Sequence, residues 1–261
     1  MSMAGDLKLA LVVSDSRKAQ EGATALKASH SWVKPADADV LVVVGGDGFL
    51  LHTLHEMLDW DRVKPCYGLN LGTVGFLMNG HHAGQDIGAL VAAAHRVAVH
   101  PLEMHVTTQD DRELCYHAIN EVSLLRETRQ TAKIEILING KVRMEELAGD
   151  GILVATPAGS TAYNLSANGP ILPLGSRMLA LTPISPFRPR RWRGAIIPES
   201  AEIEFRIHEP EKRPVAAVAD QKEVREIKSV RILASAEKEL TLLFEPGFSL
   251  EERIFAEQFQ V

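Results

Sequence analysis

An unbroken apolar run that ends directly in glycine constrains this chain more than any other feature. Val40–Val44 reads Val-Leu-Val-Val-Val, and apolar residues with no polar one between them suit a parallel strand covered on both faces. Gly45-Gly46-Asp47-Gly48 follows. Then Phe49, Leu50, Leu51, Leu54, Met57 and Leu58 recur at the spacing of one helix face. A glycine turn between strand and helix lets backbone N–H groups approach a phosphate at the helix N-terminus, because no side chain stands in the way. A carboxylate at the apex, Asp47, is something a pure phosphate cradle does not need, since like charges repel. Phosphoryl transfer does need one, to accept a hydroxyl proton or to hold a divalent ion. The tetrapeptide alone is also consistent with a tight turn and a helix-capping aspartate.

A second glycine-rich block narrows the choice. Gly149-Asp150-Gly151 leads through the apolar Ile152–Ala155 into Thr156–Pro170, where small and hydroxylated residues surround a single aromatic, Tyr163. Packing does not call for such a run, which has little apolar area to bury. A binding loop does: Gly159 and Ala162 permit close backbone approach, and Ser160, Thr161, Asn164 and Ser166 offer hydrogen bonds. Asp150 is placed to receive ribose hydroxyls. A Ser/Thr-rich surface loop is the other possibility. The direct join to a strand and the buried look of Tyr163 favour the binding loop.

With these blocks in view, the sequence resembles the NAD kinase family, ATP-dependent enzymes that phosphorylate the 2′-hydroxyl of NAD. The shared pieces run in family order through nearly the whole chain: Gly45–Gly48, Asn70–Leu77, Asn120-Glu121, Gly149–Pro170 and Leu181–Pro186. Gly-Gly-Asp-Gly alone is also found in lipid kinases and phosphofructokinases. Asn-Glu followed by Gly-Asp-Gly and Thr-Pro-x-Gly-Ser-Thr-Ala-Tyr is far more specific.

The resemblance implies a role for each matching residue. Asp47 becomes the general base for the 2′-hydroxyl, and an ordinary aspartate is ionised at pH 7 and able to take that proton. Gly45, Gly46 and Gly48 admit the phosphates and ribose. His52 matches a basic position near the phosphates, although it also reads as a surface helix histidine. Asn120 and Glu121 hold the NAD ribose and pyridine side, Asp150 fixes ribose hydroxyls, and Phe76 neighbours the adenine. Ala158, Thr161, Ala162, Tyr163, Asn164, Leu165 and Ser166 line the adenine and ribose. Tyr163 and Ser185 reach a neighbouring subunit's ligand in a homodimer or homotetramer, and Gln221 matches a ligand contact. ATP is the donor, Mg²⁺ arrives with it, and no metal is held by the protein alone. The alternatives are a lipid or sugar kinase of the same superfamily, which leaves Asn120-Glu121 and Thr161–Ser166 unexplained, and a non-catalytic NAD(P)-binding regulator, against which the intact Asp47 speaks.

The rhythm of the chain changes partway. Apolar strands at Leu7–Val13, Val40–Val44 and Cys66–Leu71 alternate with helical stretches at Lys18–Ser29, Phe49–Leu58 and Gln85–Arg96, the pattern of a parallel sheet flanked by helices. Beyond Val97 the pattern is alternation and hairpins. Ile134–Ile138 runs into Asn139-Gly140, a preferred two-residue turn, and Ile203, Phe205 and Ile207 alternate with charged residues, as do those around Val224–Ile232. The expected fold is an α/β nucleotide-binding domain over 1–97 and a mostly antiparallel, β-rich NAD-binding domain over 98–240. A segment over 241–261, helix-like at Ser249–Gln260, returns to the first domain by resemblance.

Composition excludes several classes. With 261 residues, 46% of them apolar, the chain can bury one large core or two small ones, and its net charge of −6 argues against bulk nucleic-acid binding. Arg188, Arg190, Arg191 and Arg193 with Trp192 form a basic cluster confined to a few residues, which reads as a solvated turn or subunit contact. Cys66 and Cys115 read as small buried hydrophobes in a reduced protein. Histidines 81, 82, 95, 100 and 105 lack metal-site spacing. The N-terminus has no secretory pattern and no apolar run is of membrane-spanning length, so a cytoplasmic location is expected, without membrane or nucleic-acid partners.

Three positions depart from the family pattern. Phe49 stands where Thr or Asn is usual, which removes a hydroxyl or amide from the helix start. The stretch Phe187–Arg193 replaces a His-Ser-Leu-Ser segment, and Asp-Gly-Gln is reduced to Asp220-Gln221.

Overall fold

All five residues of Val40–Val44 are buried, and the reason is visible in the sheet. The strand pairs in parallel with Leu9–Val13 on one side and Cys66–Asn70 on the other. Helices supply apolar cover: Ala19 and Leu26 from one, Ile87 and Val91 from another, packed with Val40, Val42, Val44, Tyr67 and Leu69. The helix Asp47–Asp59 buries Leu50, Leu54, Met57 and Leu58. Gly68 leaves the space that Leu50 and the Met78 sulfur fill.

These observations come from a computed structural model that describes residues 7–60, 62–71, 75–80 and 84–247. The described residues divide into two units, one reaching to Val99 and resuming at Glu239, the other running from His100 to Lys238. In the first unit the main sheet orders its strands as Leu9–Val13, Val40–Val44, Cys66–Asn70, Leu240–Phe244 and His95–Val99, with Asn79–Gly80 also pairing to Cys66–Asn70. The strand Leu240–Phe244 is parallel to Cys66–Asn70 and antiparallel to His95–Val99. The buried Asn79 amide donates to the Gly68 and Leu243 carbonyls, both at 2.9 Å, and ties the returning chain to this sheet.

The helix expected over 85–96 is shorter. It spans Ile87–Ala93, capped by the Asp86 carboxylate, which accepts from the N–H groups of Gly88 and Ala89. His95 and Arg96 belong instead to the strand His95–Val99. The other two helices are Arg17–Ser29, capped by Ser16, and Asp47–Asp59, which begins two residues earlier than its apolar face. The expected helix over Ser249–Gln260 lies outside the described residues.

The second unit is built from two six-stranded sheets, antiparallel at every pairing among the described residues. One core joins Met104, Val106, Ile134, Ile136, Phe205 and Val230 of the first sheet to Val122, Leu124, Ile152, Val154 and Ala217 of the second. Asn139 and Gly140, with φ of 51° and 71°, form the turn between Ala132–Ile138 and Lys141–Gly149. Two positive φ values are what a tight right-twisted hairpin requires. The strand Gly151–Ala155 is buried throughout because a second cluster of Leu153, Ala155, Leu172, Ala180 and Ile184 covers its other face. Among the described residues no helix is long and apolar enough to cross a membrane.

Cys66 is buried as expected, but Cys115 is exposed. It sits on Glu113–Ala118, where alternation turns it outward.

Candidate active site

In the first unit Asp47 is the first residue of its helix, with Gly46 as the N-cap. Its carboxylate accepts the Phe76 N–H at 2.7 Å and the Leu77 N–H at 3.1 Å. This approach depends on Gly75, where a Cβ would fall on the carboxylate itself. The three glycines around Asp47 differ. A methyl group at Gly45 would press on the Phe49 ring, whereas at Gly46 or Gly48 it would meet nothing within 4 Å, and neither has a positive φ. Nothing in the described chain demands glycine at those two positions.

Phe49 therefore has a packing role against Gly45. Beside the turn lies a cavity of about 140 Å³ lined by Ser16, Lys18, Gly45, Gly46, Asn70 and Leu71, among others. The Lys18 ammonium and the capped start of Arg17–Ser29 both favour an anion there. His52 is exposed and lies 3.8 Å from Glu56 one turn along. The Phe76 ring is only 7% exposed. Its backbone N–H, rather than an open aromatic face, is what it gives the site.

In the second unit Asn120 and Glu121 stand at the entry to the strand Glu121–Arg126. Two neighbours hold their backbone. Thr156 donates its N–H to the Asn120 carbonyl at 2.9 Å and its hydroxyl to the Ile119 carbonyl at 2.7 Å. The Asp220 carboxylate accepts the N–H groups of Ile119, Asn120 and Glu121 at 2.7, 3.1 and 3.0 Å. Gly159 fits so closely against this segment that a Cβ would collide with the Asn120 carbonyl. With the backbone satisfied, the side chains are not: Asn120 Oδ1 and Glu121 Oε2 are buried and accept no hydrogen bond from the described residues.

Burial, with the nearby Asp220 charge adding to it, pushes the Glu121 carboxyl up to about 7. An unpaired buried acceptor costs on the order of 1–3 kcal/mol, so each of these atoms would gain from a donor brought by a ligand. If ionised Glu121 accepts ligand hydroxyls, the KM for NAD rises below about pH 7 and levels off above it. Initial rates at varied NAD and pH check this.

Asp150 does not stand free. The Arg126 Nε donates to its Oδ1 at 2.6 Å, which leaves the other oxygen for a ligand. Tyr163, expected to be buried, is 36% exposed. Partial burial pushes its hydroxyl pKa up, and the Glu121 and Asp150 charges push it further.

Asn164 is tied into the chain itself. It is fully buried, its amide donates to the Ser160 and Pro170 carbonyls at 3.0 and 2.9 Å, and its Oδ1 accepts from Thr182 at 2.7 Å. It shapes the loop from within and has no polar atom to spare. Around it, Ala158 is buried, Thr161, Ala162 and Leu165 are half-buried, and Ser166 is exposed. Ser185 is exposed with a φ of 46°, and Gln221 is exposed beside Asp220.

The Arg188 and Arg190 guanidinium groups each lie 5.7 Å from the centre of the Phe187 ring, and Trp192 packs on the core of the second unit. His100 and His105 pair with Glu199 and Glu103 at 3.1 and 3.2 Å, whereas His81 and His82 lie outside the described residues. Among the described residues no group of three or more His, Cys, Asp or Glu is placed to hold a metal ion.

Lys18, Arg126 and the clamping role of Asp220 were not legible as features of the candidate site. Each acts across a long sequence gap, and only Asp220, a lone acid in a two-residue break between strands, left a trace.

Comparison with known proteins shows the family. The family model described as the ATP-NAD kinase C-terminal domain matches residues 119–243. An NAD kinase of Rhizorhabdus wittichii is 56% identical over 97% of this chain and 98% of its own. An NAD kinase of Zymomonas mobilis is 52% identical, again over 97% and 98%. Among solved structures, yeast NADH kinase complexed with NADH aligns with a TM-score of 0.77 at 21% identity, covering 97% of this chain and 88% of that one. An NAD kinase from Archaeoglobus fulgidus in complex with ATP gives 0.73 at 23%, covering 96% and 98%. At those identities the two structures establish the fold. The class is thereby defined as a phosphotransferase with an α/β unit and an antiparallel β unit. More particularly, the chain belongs to the NAD kinase family.

Proposed function

We propose that this protein transfers the γ-phosphoryl group of ATP to the 2′-hydroxyl of the NAD adenosine ribose, giving NADP and ADP. The observation that carries this is the pair of buried, unpartnered acceptors at Asn120 and Glu121. They suit the hydroxyl and amide donors of a dinucleotide. The ligands named for the two structural neighbours, NADH and ATP, point the same way.

In the reaction the 2′-oxygen bonds to the γ-phosphorus as the bond from that phosphorus to the β-bridging oxygen breaks. Asp47 takes the hydroxyl proton and the electron pair leaves with ADP. Positioning and charge neutralisation supply most of the catalysis. Gly46 and Gly48 leave space for close backbone approach. Gly45 and Lys18 flank the small anion-favouring cavity. Asp150 receives ribose hydroxyls on its free oxygen. Ala158, Thr161, Ala162, Tyr163, Leu165 and Ser166 surround adenine and ribose, and Phe76, His52 and Gln221 take the roles that the family resemblance implies. Mg²⁺ enters with the ATP phosphates. We further take the protein to act in the cytoplasm as a homodimer or homotetramer, in which Tyr163 and Ser185 serve a neighbouring subunit's ligand.

Phosphorus NMR of the product tests the regiochemistry. The new monophosphate is expected on the 2′-oxygen of the adenosine ribose, and a phosphate on any other oxygen overturns the assignment.

A further inference from the structure

Asp220 occupies the turn between the strands Val215–Ala219 and Lys222–Val224, in the left-handed region with a φ of 49°. Its carboxylate receives three consecutive backbone N–H groups, those of Ile119, Asn120 and Glu121. In return its own N–H donates to the Glu121 carbonyl at 3.1 Å. Converging N–H groups of this kind form a concavity suited to an anion, and here the anion is built into the chain. The opposite edge of the same segment is tied by Thr156 and closed by Gly159. The arrangement has an electrostatic cost. It sets the Asp220 charge beside the Glu121 carboxylate, and like charges in a half-buried site repel.

We infer that Asp220 is a positioning residue for the dinucleotide site, acting through Asn120 and Glu121 by fixing the backbone from which their unpaired acceptors project. This rests on the NAD kinase assignment and deepens it. The charged and titratable groups around Glu121 are Asp220 from the turn, Tyr163 from the short helix Tyr163–Ser166, and Asp150 near that tyrosine, bridged to Arg126. Of these, Asp220 couples to Glu121 directly and raises its pKa. Removing its charge therefore has two separable effects: the backbone segment loosens, and Glu121 ionises more readily.

The test compares full-length wild type with Asp220→Asn and Asp220→Ala. Melting temperature, NAD dissociation constant, kcat, and KM for NAD and for ATP are measured between about pH 5 and about pH 9. For Asp220→Asn the expected result is a near-normal melting temperature and a KM for NAD raised about tenfold, with KM for ATP within about twofold. The acid limb of kcat/KM for NAD, near pH 7 in the wild type, moves to lower pH. Asp220→Ala raises the NAD KM further. A wild-type NAD KM and an unmoved acid limb in both variants overturn the inference. So does a uniform loss of kcat and of both KM values in step with a lowered melting temperature, because that marks a purely structural residue. If the wild type binds NAD but forms no NADP, the kinase assignment fails, and the NAD dissociation constants still judge Asp220. If it binds no NAD, both fall.

Discussion

Replacing Asp47 with Asn is expected to lower kcat by about a hundred- to ten-thousandfold, the usual worth of a positioned general base, while the NAD dissociation constant changes only a few-fold. The substitution is nearly isosteric, and its remaining carbonyl oxygen can still accept one of the two N–H groups that hold Asp47, those of Phe76 and Leu77. Losing the other bond loosens the turn by about 1 kcal/mol, too little to explain a collapse in turnover. What the amide cannot do is take the proton of the attacking hydroxyl. Steady-state kinetics and calorimetric NAD binding on the same preparation separate the two effects. Full turnover in this variant would remove Asp47 from the chemistry and leave it a helix-start residue.

The second large effect concerns Glu121, where stability and binding are expected to move in opposite directions. Its carboxyl is raised from 4.5 to about 7, first by burial and then by Asp220. Between those two values the folded state holds the proton and the unfolded chain has lost it, so stability falls as pH rises through that window. Above about pH 7 the folded protein carries a charge that the site disfavours by at most about 3 kcal/mol. Glu121→Gln removes that charge. Its melting temperature at pH 8 should exceed that of the wild type by several degrees, and the gap should close near pH 4. The same change replaces a strong acceptor of ligand hydroxyls with a weaker one, so the NAD KM rises about tenfold or more at pH 8. A destabilised Glu121→Gln with unchanged NAD KM would mean that Glu121 is held for structure.

Local pattern was enough to read much of the framework. The five apolar residues of Val40–Val44, the helix face begun by Phe49, and Asn139-Gly140 each carry their conformation in a few adjacent residues. The failures came where a distant partner decides. His95 and Arg96 look like a helix end, yet pair as strand with Leu243 and Phe244, nearly 150 residues away. Tyr163 sits in a run of small residues that suggested enclosure, but the short helix it begins leaves it exposed.

In the candidate site, the Asn120-Glu121 pair and Asp47 stood out in the sequence because their neighbours form recognisable blocks. Sequence did not show that the Asn164 side chain bonds to Ser160, Pro170 and Thr182. It could not reveal that Asp220 reaches back about a hundred residues to fasten the pair. Residue type gives chemistry, but hydrogen-bond saturation decides whether that chemistry is free to meet a ligand.

Formation of NADP by the purified wild-type protein from NAD and ATP with Mg²⁺, read by an NADP-specific dehydrogenase, tests the central claim most directly. The expected result is continuous NADP production matched mole for mole by ADP. Binding of NAD without any NADP, with ATP or with polyphosphate as donor, would contradict it.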